Sequence, residues 1–272
     1  MASRPCITLI TDFGMTDHYA GTMKGVILNI NPEVQLVDIC HQIAPYDIFA
    51  AAYALVQSYR FFPPDTIHLI VVDPGVGSTR RPILASAGHY RFVAPDNGVL
   101  SLLLGREENV RVRHITADHY FLNPVSQTFQ GRDVFAPVAG WLSKGIEEEK
   151  FGDLITDYAQ FSSPKPKRVG DNLVKGITLR VDSFGNIITN ITPEDVPELF
   201  SESPPPFRII INQQEVTRLN LSYSMGRASE LFAIVGSSGF LEICTNRGSA
   251  AKMLKATRGM DVGVIIGGGP GA

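Results

Sequence analysis

Cysteine, histidine clusters, basic runs and long apolar stretches are all scarce in this 272-residue chain, and each scarcity removes a class of function. The three cysteines, Cys6, Cys40 and Cys244, are widely spaced and odd in number. They fit neither a disulfide framework nor a zinc-ligand pattern, and in their apolar surroundings they read as buried free thiols. His18, His41, His68, His89, His114 and His119 share no ligand spacing, so no metal site is expected. The net charge is −3 and no basic block occurs, which argues against nucleic acid as a partner. No apolar run approaches the ~20 residues of a membrane helix, so no membrane is expected. The opening MASRPCITLI lacks the layout of a signal peptide, and a cytoplasmic location is the expectation. Neither G-x-G-x-x-G nor G-x-x-x-x-G-K-[ST] opens a helix, which removes the common phosphate cradles.

What remains is an ordinary globular composition, 44% hydrophobic and 19% charged, with ample apolar mass for a core. Strand and helix patterns alternate through the first half. CITLIT (6–11), VQLVDI (34–39) and TIHLIVV (66–72) read as strands, with helices at 18–31 and 47–62, the second stopped by Pro63 and Pro64. The nearly continuous apolar character of TIHLIVV predicts a parallel strand covered on both faces. ILASA and RFVAP form two more strands around a GHY turn. A helix near 98–104, a strand near 110–115 and a helix near 132–144 follow. The reading is an α/β amino-terminal domain, 1–162, with a mostly parallel sheet between helices. Residues 163–172, rich in proline and basic charge, read as a linker. VKGITLRVD, NIITNI, FRIIINQQ, LFAIV and FLEICT then predict a smaller, mainly antiparallel β domain over 173–272, with brief helices near 193–199 and 248–254. The closing GGGPGA reads as a disordered tail.

Open α/β sheets bind ligands beyond the carboxyl ends of their strands. Here those ends carry acids: Asp12 and Asp17 after the first strand, Asp73 after the third, and Asp96 with Asn97 in FVAPDNG. Such a rim suits a neutral or cationic ligand bearing hydroxyls, because a carboxylate accepts both hydrogen bonds of a ribose diol. Each residue also has a plainer reading. Asp12 and Asp17 can cap the following helix. Asp73 before Pro74 can simply form a turn, with Arg80 or Arg81 as a surface charge. Asp133 after Arg132 suits the start of a helix, and Tyr46 is as suited to packing as to stacking.

Taken in order, LITDFGMTDHYAGTMKG, DICHQIAPYDIFAAA, FFPPDTIHLIVVDPGVGSTRR, FVAPDNGVLS, TFQGRDVFAPVAGWL, VDSFGNIITNI and SSGFLEICTNRGSAA resemble the S-adenosyl-L-methionine hydroxide adenosyltransferase family, which is related to the fluorinases and chlorinases. The resemblance runs from about residue 6 to 267. It implies an enzyme that splits S-adenosyl-L-methionine (SAM) at the ribose C5′ into adenosine and methionine, with water or hydroxide as nucleophile and no cofactor. It also implies a homotrimer, each site lying between the first domain of one subunit and the second domain of its neighbour. Matched by motif, Asp12 is similar to the ribose-diol ligand, with Asp17 and Asn97 nearby. Tyr46, Phe129 and Tyr223 resemble walls of the site. Asp182 and Asn186 of DSFGN correspond to ligands of the methionine ammonium and carboxylate. Ser237 and Glu242 fall in the segment expected near the methionine and adenine parts. Asp73 and Arg80 match an aspartate and arginine that hold the attacking water together with a histidine.

The chain departs from the family at that histidine: TFHGRD becomes TFQGRD, and Gln130 stands in its place. Glutamine donates and accepts hydrogen bonds but takes no proton near neutral pH. A SAM- or adenosine-binding protein with little turnover is therefore the alternative to a hydrolase. A SAM-dependent halogenase is the lesser alternative, because the related fluorinases carry tyrosine where this chain has Asp73, and a carboxylate there repels halide.

Overall fold

The computed structural model describes residues 4–267; of the tail expected to be disordered, all but Gly267 lies outside them. The chain divides into two compact units, Met1–Ser162 and Ser163–Ala272.

The first unit runs β1 (Cys6–Thr11), α1 (Tyr19–Ile30), β2 (Gln35–Cys40), α2 (Ile48–Ser58), β3 (Ile67–Val71), β4 (Pro82–Ala87), β5 (Tyr90–Pro95), α3 (Ser101–Leu104), β6 (Arg111–His114), α4 (Ala136–Ser143) and β7 (Leu154–Ile155). Its sheet has the order β2-β1-β3-β5-β4-β6-β7. β2, β1, β3 and β5 pair in parallel, and β4 is antiparallel to both of its neighbours. Every residue of β1 and β3 is buried, because alternate side chains feed cores on opposite faces of the sheet. Ile7, Leu9, Leu69 and Val71 pack with α1 and α4, while Ile10 and Ile70 pack with α2 and α3.

Local sequence sets the helix limits. Asp47 caps α2 by accepting from the Ala50 amide at 2.9 Å. The α-helix expected to reach residue 62 ends at Ser58 and tightens into a 3₁₀ turn over Tyr59–Phe61, ahead of Pro63. The helix expected near 132 begins as a π turn, Gly131–Phe135, and becomes regular only at Ala136, with Pro137 in its first turn. Cys6 and Cys244 are buried, whereas Cys40 is half-buried.

The second unit contains β8 (Lys167–Val169), β9 (Leu173–Val181), β10 (Ile187–Thr189), β11 (Phe207–Ile211), β12 (Gln214–Val216), β13 (Leu231–Val235), β14 (Leu241–Thr245), α5 (Ala250–Leu254) and β15 (Asp261–Ile266). Its named strands pair antiparallel, in the order β12-β11-β15-β9-β10-β14-β13, with β8 added against β9; two isolated bridges, Leu219–Ala233 and Ala228–Asn246, are parallel. β8 falls inside the stretch read from sequence as a linker. The brief helix expected near 193–199 is two 3₁₀ turns, Pro193–Asp195 and Pro197–Phe200. Among the described residues no helix is long and apolar enough to cross a membrane.

Candidate functional site

In the first unit the carboxyl ends of β1 and β3 deliver the sequence-predicted acids. Asp12 follows β1 directly. Its Oδ2 accepts the Tyr46 amide at 2.8 Å, from a residue held at φ 69°. That left-handed conformation is uncommon for tyrosine, and the residue is 71% exposed. Asp17 is exposed, and α1 has no side-chain cap, so neither acid caps this helix.

Asp73 lies two residues beyond β3 and opens two successive turns, in which Val76 donates to the Asp73 carbonyl and Ser78 to the Gly75 carbonyl. Gly77 sits at φ +78°, where a Cβ would lie 2.5 Å from the Gln127 carbonyl oxygen. The turns bring Arg80 back onto the acid. Arg80 Nε lies 3.0 Å from both Asp73 oxygens, and Nη2 lies 2.5 Å from Oδ2. The same Nη2 reaches Gln130 Oε1 at 2.5 Å. The Arg80 and Asp73 side chains are 9% and 6% exposed, and the guanidinium rests 5.2 Å from the Phe135 ring centroid. Arg81 points elsewhere, pairing with Asp96 at 2.7 Å and Asp157 at 2.8 Å. Sequence left Arg80 and Arg81 both open as partners of Asp73, and the geometry selects Arg80.

Gln130 begins the π turn, in which the Phe129 carbonyl accepts from both Arg132 and Asp133 amides. A guanidinium can only donate, so the Gln130 oxygen must face Arg80 and its NH₂ points away. Phe129 is nearly buried and packs edge-on against Phe13 and Tyr19, with Arg132 5.2 Å from its ring centroid. Asn97 spends both ends of its amide on backbone, donating to Val72 C=O at 2.9 Å and accepting from Val99 N–H at 3.1 Å. Its geometry braces the end of β3.

In the second unit a cavity of about 690 Å³ is lined by Asp182, Asn186, Tyr223, Ser237 and Glu242, the five residues singled out from sequence in this half. Asp182 organises the DSFGN loop: Oδ1 accepts the Phe184 and Asn186 amides at 2.9 and 2.8 Å, and Oδ2 accepts the Asn186 side chain at 2.9 Å. Glu242 is 6% exposed and accepts from the Tyr223 hydroxyl at 3.1 Å. Burial, assisted by the charge of Asp182, pushes the Glu242 carboxyl upward. Burial and the Glu242 charge likewise push the Tyr223 hydroxyl up. Phe184, Thr245, Arg247 and Gly248 also line the cavity and were not singled out from sequence. Their signal was proximity to DSFGN and to SSGFLEICTNRGSAA, which cannot say which side chains face inward. Among the described residues no group of His, Cys, Asp and Glu is placed to hold a metal ion.

Comparison with known proteins supplies the family. The model of the SAM hydroxide adenosyltransferase N-terminal domain matches residues 7–152, and that of the C-terminal domain matches residues 176–263. A protein named (R)-S-adenosyl-L-methionine hydrolase from Methanocaldococcus jannaschii is 33% identical, covering 91% of each chain. One of the same name from Thermus thermophilus is 32% identical over 95% of this chain and 99% of its own. A fluorinase from Nocardia brasiliensis is 27% identical over 97% and 98%. A solved structure of an uncharacterized conserved protein from Thermotoga maritima superposes with TM-score 0.89 at 34% identity, covering 95% of this chain and 99% of that one. With both family models matched in order along one chain, the protein belongs to the SAM hydroxide adenosyltransferase family.

Proposed function

We propose that this protein hydrolyses SAM to adenosine and L-methionine by attack of water at the ribose C5′. Family membership and the full-length relatives named for that reaction support the activity. The observation that carries the residue-level reading is the part-buried, hydrogen-bonded Asp73–Arg80–Gln130 cluster beyond the end of β3. Asp12 takes the ribose diol, with Asp17 and Asn97 beside it and Tyr46 and Phe129 as walls. The cavity of the second unit takes the rest of the substrate through Asp182, Asn186, Tyr223, Ser237 and Glu242. The assembly is a homotrimer in which each site draws on two subunits, and SAM is substrate, with no cofactor.

The chemistry asks little of an acid. The water oxygen bonds to C5′ as the C5′–S bond breaks, and the electron pair neutralises the sulfonium to the thioether of methionine. Positive charge is lost on the way to the transition state, which a dry site tolerates. What the protein must supply is position, worth about 7–11 kcal/mol in ideal cases. Arg80 fixes Asp73 through a forked contact, and the carboxylate accepts a proton of the water while its lone pair faces C5′. Gln130, its oxygen committed to Arg80, offers only N–H donors, so it orients the water and takes no proton. Asp73 is then the acceptor of the proton released. A carboxylate at this point disfavours a halide nucleophile, despite the fluorinase relatives.

Gln130 is also the observation that favours the second reading, a SAM- or adenosine-binding protein. Incubation with SAM, followed by chromatography, separates the two. Equal amounts of adenosine and methionine above the protein-free control support the hydrolase; intact SAM recovered from a measurable complex refutes it.

A further inference from the structure

β1 carries two threonine–histidine pairs. Thr8 Oγ1 meets His68 Nδ1 at 2.7 Å, and Thr11 Oγ1 meets His41 Nδ1 at 2.8 Å. Both imidazoles are buried, at 0% and 3% exposure. They differ in what lies beyond them. His68 is enclosed by Tyr59, Phe62, Tyr90 and Phe92, and its Nε2 meets no polar partner. His41 Nε2 instead lies 2.9 Å from Asp38 Oδ1, and Asp38 Oδ2 holds Lys24 Nζ of α1 at 2.5 Å. That 2.9 Å contact sets the Asp38 carboxylate charge directly against the imidazole.

The other end of the His41 chain reaches the loop that carries Asp12. A carboxylate near Nε2 favours the tautomer protonated there, which leaves the Nδ1 lone pair to accept the Thr11 hydroxyl. Thr11 Oγ1, donating to His41, keeps a lone pair for the Phe13 amide at 3.3 Å. The His41 carbonyl accepts the Gly14 amide at 2.7 Å, where the chain turns at φ 71°. Asp12 lies between these anchored residues, and its own Oδ2 is tied to Tyr46 of the loop that His41 begins.

We propose that His41 is a positioning residue for Asp12: through Thr11 and Gly14 it fixes the aim of the carboxylate that takes the ribose diol. This rests on the reading of Asp12 given above. Asp38 of β2 meets the imidazole, and Lys24 of α1 in turn holds Asp38.

Thr11→Val is nearly isosteric and removes only the hydroxyl, while Thr8→Val makes the same change in the pair that leads nowhere. Adenosine titration and steady-state SAM kinetics are read on both. Thr11→Val is expected to weaken adenosine binding and raise KM about tenfold with kcat within about twofold, a misaim worth roughly one buried hydrogen bond. Thr11→Ser, which keeps the hydroxyl, should restore the affinity, and Thr8→Val should lower only the melting temperature. Equal adenosine affinity in Thr11→Val and Thr8→Val overturns the proposal, as does a fall in kcat at unchanged KM. Should Thr11→Val fold poorly, Asp38→Asn carries the same test at the exposed end of the chain; about threefold weaker binding is expected, and no change overturns it. Asp12→Ala tells the two levels apart. If it abolishes adenosine binding while Thr11→Val does not, only the role of His41 falls; if it leaves binding intact, the ribose reading falls with it.

Discussion

Arg80→Met separates what the Asp73–Arg80 pair does for stability from what it does for turnover. The substitution keeps most of the aliphatic stem but removes a guanidinium that makes three close contacts to Asp73 and one to Gln130. With the two side chains 9% and 6% exposed, water replaces the guanidinium poorly, and Asp73 is left as a largely buried charge without its partner. Breaking such a pair costs about 3–5 kcal/mol. For a unit of this size that corresponds to a fall of roughly 6–20 °C in melting temperature. Replacing both partners removes the stranded charge, and neutralised pairs are often as stable as the original. Asp73→Asn/Arg80→Met should therefore melt well above Arg80→Met alone, while neither releases adenosine from SAM. Calorimetry and a chromatographic SAM assay on the two single variants and the double variant complete the cycle. A double variant no more stable than Arg80→Met would show that the loss came from packing on Phe135 rather than from the charge. Adenosine release by the double variant at the wild-type rate would remove Asp73 and Arg80 from the reaction.

Gln130→His should raise kcat with little change in KM, by up to about 10²–10⁴ if an imidazole acts there as a general base; unchanged kcat in stopped or continuous assays would restrict residue 130 to orienting water. His68, desolvated by burial, has its pKa pushed down to about 3. Its folded value lies below the ordinary ~6.5, so the stability it confers is complete above pH 6.5 and drains away as pH falls toward 3. Linkage puts the total loss on the order of 4–5 kcal/mol; denaturant titrations between pH 7 and 3 should show a shallower acid limb in His68→Gln, and an unchanged limb counts against the assignment. Gly185→Ala forces a side chain onto φ +86° with its Cβ 2.1 Å from Ser249 Oγ. It should cost about 1–3 kcal/mol and weaken methionine titration into the second-unit cavity, whereas wild-type binding would mean the DSFGN loop is not needed for it.

Much of the fold was legible because its strongest signals are local. The apolar runs of β1 and β3 are buried along their whole length, and Pro63 with Pro64 closes the second helix. The strand DVGVII, β15, went unread although it lies mid-sheet between β11 and β9. Gly263 interrupts its pattern and a glycine-rich tail follows, so its strand character comes from partners distant in sequence. At the site, the Pro-Gly turn after Asp73 announced that the chain doubles back. It could not say that Arg80, and not Arg81, meets the acid, since that depends on two consecutive turns of fixed length. Asn97 shows another limit: its place after a strand does not reveal that one amide hydrogen and one oxygen lone pair already go to the backbone.

The two neighbouring arginines turn the segment from Asp73 to Arg81 into a ruler. One end is fixed by β3, and the other is pinned twice, Arg80 on Asp73 and Arg81 on Asp96 and Asp157. Gly77 presses against the Gln127 backbone in between. Adding or deleting a single residue there would hand each guanidinium to the wrong carboxylate, however conservative the inserted side chain. In laboratory evolution this segment should accept changes of letter far more readily than changes of length.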